Sequence, residues 1–143
     1  MGTPRDALPR ARRLVFRAWL DDDVDTMLAI FGDARVVALI DAAGPYDRPR
    51  AEARLARELA TQRERGVAYW PIFDRERGAL VGCAGMRPRE AVSGMYELGF
   101  ALLPPWHGLG LATEAGRAVV AFAFGRLGAQ TLFAGHHPAN HAS

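Results

Sequence analysis

The segment that most restricts how this chain can fold is LLPPWHGLGLATEA, residues 102–115, where an apolar run ends in two prolines and a glycine-rich turn opens straight into a helical pattern. Proline ends a strand, and glycine admits the left-handed backbone of a tight turn. Gly108 and Gly110 remove side chains where the main chain must approach a ligand. The first N–H groups of the helix that follows have no intrahelical acceptor, so the turn can cradle an anion such as a pyrophosphate. A plain tight turn capped by glycine is the simpler alternative. The spacing Gly-x-Gly-x-x-Thr sets Thr113 where a dinucleotide fingerprint has its third glycine, and the preceding strand belongs to a meander; both features argue against a Rossmann site.

The run before the turn, YELGFALL at 96–103, holds one ionisable side chain, Glu97. Such a strand is expected to be central, and period-two alternation puts Glu97 on one face with Gly99 and Ala101, which leaves room for a ligand. A partly buried carboxylate there suits a general base acting directly or through water. An ion pair with one of the many arginines is the alternative.

Around this centre the pattern predicts a strand over 13–20, then acids at 21–23 capping a helix with Val24, Met27, Leu28 and Phe31 on one face, ended near Gly32. A loop over 41–49 leads to a second helix that starts at Pro49, shows Leu55 and Leu59 on one face, and ends at Gly66. Three closely spaced strands, 67–74, 80–87 and 96–103, form an antiparallel meander. A helix over 112–127 and a strand over 131–135 complete the order β-α-α-β-β-β-α-β, an α/β chain with a mixed sheet. At 143 residues, with no repeat or linker, residues 1–143 are expected to form a single domain.

All 18 basic residues are arginine. Without lysine there is no P-loop and no pyridoxal Schiff base. The arginines are scattered and the formal net charge is only +2, so no nucleic-acid partner is expected. No apolar run reaches a membrane span and no secretory signal opens the chain, so a cytoplasmic location is the default. The single cysteine, Cys83, lies in an apolar strand and is read as core rather than nucleophile. Ser93 is no nucleophile elbow, because Ala91 stands where the motif demands glycine. His136, His137 and His141 cluster without a nearby Cys or carboxylate, and no metal site is expected.

The strand ELGFALLP, the turn WHGLGLATEA, the ending HPANHAS and the opening RLVFRAWLDDDVDTMLAIF together resemble the GCN5-related N-acetyltransferase (GNAT) family, and within it the RimJ/RimL-like branch. The resemblance spans nearly the whole chain. It implies a mostly antiparallel mixed sheet flanked by helices, and acetyl-CoA as cosubstrate with an amine acceptor. By position, His107, Gly108, Leu109, Gly110, Leu111 and Ala112 correspond to the family's Gln/Arg-x-x-Gly-x-Gly/Ala turn, which binds the pyrophosphate through backbone N–H groups, with Thr113 adding a hydroxyl. His107 stands where many members have Gln or Arg. The backbone of Leu102 and Leu103 would hold the pantetheine arm, Asn140 would contact it, and Glu97 matches the place where several members keep a catalytic base. An N–H near Leu103 would stabilise the oxyanion.

Family members usually continue past the position of Ser143 with a helix and two further strands, so the domain is expected to be incomplete at its C-terminus. That helix commonly carries the tyrosine that protonates the leaving thiolate; Tyr46, Tyr69 and Tyr96 do not match it. The alternatives are a catalytically silent acyl-CoA-binding domain and a nucleotide-binding regulator using the same turn. A monomer or a homodimer would fit either assignment.

Overall fold

The computed structural model of the chain describes residues 8–38, 44–89 and 94–134. In chain order the elements are strand β1 (Leu14–Phe16), helices α1 (Val24–Phe31), α2 (Ala34–Val37) and α3 (Arg48–Arg65), strands β2 (Tyr69–Asp74), β3 (Leu80–Pro88) and β4 (Met95–Leu102), a 3-10 turn at Pro104–Trp106, helix α4 (Leu111–Gly125) and strand β5 (Thr131–Ala134). The strands lie side by side in chain order, antiparallel from β1 to β4 and parallel between β4 and β5. This is the expected mixed sheet. Gly135, Ser93, Asn140 and the histidines at 136, 137 and 141 lie outside the described residues.

Two elements differ from the sequence expectation. Asp33 accepts a hydrogen bond from the Arg35 N–H at 2.8 Å and starts α2, a single turn too short to show a hydrophobic period. β1 is shorter than the expected 13–20 run because the chain turns inward at Trp19. The Trp19 indole Nε1 donates to the Tyr69 carbonyl at 2.8 Å, and its backbone exchanges bonds of 2.8 and 3.0 Å with the Gln62 amide.

Register gives the sheet two faces. Trp70 pairs with Ala84 and Ala84 with Phe100, so these three share a face, as do Ile72, Gly82 and Leu102. α4 lies there, with Trp70 edge-on to Phe122 at 5.5 Å between ring centroids. The opposite face carries Tyr69, Cys83, Glu97, Gly99 and Ala101. It packs against α1 and α3, where the Arg54 guanidinium lies 4.8 Å from the Phe31 ring and 5.7 Å from that of Tyr69.

Buried charge on the helical side is paired. Glu58 accepts from Arg54 Nε at 2.9 Å with one oxygen and from the Tyr69 N–H at 2.9 Å with the other, tying α3 to the start of β2. Asp23, at the head of α1, takes two bonds from Arg17 (2.8 and 3.0 Å) and one from the Leu20 N–H (2.7 Å). Burial opposes its ionisation, yet Arg17 and that N–H hold its carboxyl below the usual aspartate range.

Candidate active site

At the end of β4 the Leu103 N–H donates to the Val81 carbonyl at 2.8 Å, and at the other end the Arg89 N–H donates to Met95 at 2.9 Å. In an antiparallel ladder the backbone groups of successive residues point to opposite neighbours. Odd-numbered residues of β4 therefore bond to β3, and the backbone of Leu98, Phe100 and Leu102 points the other way. Recorded pairing with β5 runs from Met95 to Leu98 against Thr131–Ala134. Among the described residues that pairing stops at Leu98, and beside it a groove of about 470 Å³ is lined by Leu98, Phe100, Ala112, Thr113, Gly116 and Arg117.

The Leu103 N–H is thus committed to β3, and Leu102 beside it directs its own N–H to the other side of β4. The Leu102 carbonyl is engaged as well: it lies 2.9 Å from His107 Nε2, and because a carbonyl only accepts, that nitrogen carries the proton.

After the 3-10 turn, Gly108 and Gly110 adopt φ of 77° and 76°, values that L side chains rarely reach. Gly110 is the N-cap of α4 and no side chain caps the helix. The first N–H with an intrahelical acceptor is that of Glu114, on Gly110, at 3.1 Å. The amides of Leu111, Ala112 and Thr113 thus point out of the helix mouth, the arrangement that suits an anion.

Arg13, just ahead of β1, grips this turn from the side. Its Nη1 donates to the Leu109 carbonyl at 3.0 Å, its Nε to Glu114 Oε1 at 2.7 Å, and its backbone N–H to Glu114 Oε2 at 2.7 Å. Burial works against the Glu114 charge, but these Arg13 contacts hold its carboxyl below the usual range.

Glu97 lies on the face away from α4. Its Oε1 takes two contacts from Arg87, Nε at 2.9 Å and Nη2 at 2.8 Å, so the arginine pair weighed at the sequence level is present. The room expected beside Gly99 and Ala101 is filled: a Cβ on Gly99 would stand 2.9 Å from Cε1 of Tyr69. The Tyr69 hydroxyl donates to the Glu97 carbonyl at 3.1 Å, and burial raises this phenol well above its ordinary range. Cys83 is buried, and burial pushes its thiol up to about 12 although the Arg54 guanidinium acts the other way, which suits a core residue.

The expected cosubstrate residues Leu102, Leu103 and His107 to Thr113 thus come together at one end of β4. Glu97 stands farther back along the strand on the opposite face. Sequence reading missed Arg87 and Arg13. The first could have been found from hairpin register, since Arg87 and Glu97 are directly opposed. The second, 101 positions from Glu114, leaves no local signal.

The family described as acetyltransferase (GNAT) domain matches residues 13–143, and the chain belongs to that family. Its members are enzymes that transfer acetyl groups from acetyl-CoA. A GNAT-family acetyltransferase from Bacillus anthracis superposes with a TM-score of 0.78 at 20% identity, over 94% of this chain and 76% of its own. An acetyltransferase from Agrobacterium tumefaciens str. C58 gives 0.78 at 27% identity, over 93% and 75%. A Salmonella typhimurium acetyl transferase that modifies the N-terminal serine of 50S ribosomal subunit protein L7/L12 gives 0.73 at 16% identity, over 94% and 77%. Among the described residues no three His, Cys, Asp or Glu side chains gather to hold a metal ion, and no helix is long and apolar enough to cross a membrane.

Proposed function

We propose that this chain is an acetyl-CoA-dependent N-acetyltransferase of the RimJ/RimL-like branch, acting on a primary amine at a protein N-terminus or on a small molecule. The observation that carries the reading is the uncapped mouth of α4, with Gly108 and Gly110 in left-handed conformation, set beside the β4 edge at Phe100 and Leu102. The amides of Leu111, Ala112 and Thr113 would bind the diphosphate, and the β4 edge the pantetheine arm. RimL-type acetyltransferases, among them one that modifies the serine terminus of a ribosomal protein, share the fold and favour a peptide amine as acceptor.

Transfer proceeds in a ternary complex. Glu97 takes a proton from the acceptor ammonium, directly or through water. The free amine attacks the thioester carbonyl, and the oxyanion is stabilised by the Leu102 N–H, an interaction worth about 3 kcal/mol in comparable sites. The attacking nitrogen gives up its extra proton to solvent, the C–S bond breaks, and the thiolate takes a proton from solvent, leaving the amide and CoA. Cys83 plays no part, and no acyl-enzyme forms.

The Arg87 contact on Glu97 favours a second reading, acyl-CoA binding without turnover, because the Oε1 oxygen already takes two contacts from the guanidinium and is not free for an acceptor amine. Calorimetric titration with acetyl-CoA and CoA, followed by mass-spectrometric detection of acetylated peptide amines, separates the two. Glu97→Gln is expected to lower kcat by about 100-fold, within the usual range for a general base, while CoA affinity stays unchanged. Binding by the parent without turnover on any amine would establish the second reading, and equal rates for parent and mutant would remove Glu97 from the mechanism.

A further inference from the structure

We propose that Arg13 is a positioning residue for the anion turn: it aims the Leu109–Gly110 peptide and balances Glu114 so that the turn can accept the diphosphate of the cosubstrate. The proposal rests on the acetyl-CoA reading given above.

Its first support is the direction of one peptide. Arg13 Nη1 holds the Leu109 carbonyl oxygen at 3.0 Å. No cis peptide occurs among the described residues, and in a trans peptide the C=O and the next N–H point opposite ways. Fixing that oxygen on Arg13 therefore turns the Gly110 N–H away from it. Gly110 lacks a side chain that could do this itself, and α4 has no capping side chain.

Its second support is charge. Glu114 sits in the first turn of α4, where a carboxylate suits the positive end of an empty helix. A phosphate arriving at the same turn meets that carboxylate as a like charge. Arg13 occupies both of its oxygens, at 2.7 Å each, one through Nε and one through its own backbone N–H. The turn then offers its amides without a net negative charge beside them. Of the three contacts, only the backbone one would survive replacement of the side chain, and a plain surface ion pair would not reach the Leu109 carbonyl at all.

The test compares two ligands on parent and Arg13→Gln protein by chemical-shift titration: CoA, which carries the diphosphate, and S-acetylpantetheine, which carries the thioester arm without phosphate. The expected result is at least a tenfold loss of CoA affinity with S-acetylpantetheine affinity unchanged, and partial recovery of CoA affinity in Arg13→Gln/Glu114→Gln. Unchanged CoA affinity, an equal loss for both ligands, or no recovery in the double variant would overturn the proposal. If Arg13→Gln does not fold, Arg13→Lys carries the same comparison, since it keeps the charge and loses the fork. A parent protein that binds neither ligand would instead overturn the acetyl-CoA reading itself.

Discussion

Asp23 shows how one side chain can serve a role different from the one its neighbours suggest. Three consecutive acids ahead of an amphipathic run read as helix caps, yet the carboxylate of Asp23 bonds back to Arg17 and Leu20 and caps no helix N–H. Its pKa in the folded protein lies below the ordinary value of 3.8. Its contribution is therefore present above that value and is lost as pH falls through the lower folded value. Asp23→Asn is expected to cost about 1–3 kcal/mol at neutral pH, with the difference from parent shrinking in acid; urea titrations at several pH values measure it. Glu97 carries the same lesson. Its isolation in an apolar strand was visible in the sequence, and its partner was not, because Arg87 arrives through cross-strand register and not through spacing along one segment.

At the scale of elements, what could be read from the sequence depended on whether a local signal was long enough. α3 was marked by Pro49 near its start and Gly66 at its end, and both hold: Asp47 accepts from the Arg50 N–H at 3.0 Å, and Gly66 takes φ of 72°. α2 and the true end of β1 depend on a single turn and on the inward Trp19, which no periodicity announces. Glycines in α4 and its turn give a paired prediction. Gly110→Ala forces a left-handed alanine and should cost roughly 1–2 kcal/mol. Gly116→Ala, with open space around its Cβ inside the helix, should gain about 0.5–1 kcal/mol. Denaturant midpoints that moved in the same direction for both would contradict the assigned backbone.

At the scale of the whole molecule, the strand order followed from short loops between β2, β3 and β4 and from the helical crossover before β5, which makes that last pair parallel. Contacts that close the site across the chain, from Arg13 to Glu114 above all, depend on the assembled sheet and leave no mark on either segment alone. Because the proposed cosubstrate would bridge β4 and α4, CoA at 100 times its Kd should raise folding stability by about 2.7 kcal/mol. Differential scanning calorimetry would show this as a rise in Tm of several degrees, and an unmoved transition in millimolar CoA would speak against the site.

The alternation of backbone groups along β4 carries a further consequence for tolerance to change. A pantetheine arm lying along Phe100 and Leu102 would be held as one more strand, recognised by peptide groups that every residue except proline presents alike. Substitutions among apolar residues at those two positions should then leave cosubstrate recognition largely intact, and proline, which removes the amide, should abolish it. Such an edge lets the acyl donor stay fixed by peptide groups while the side chains of the same residues are chosen for packing.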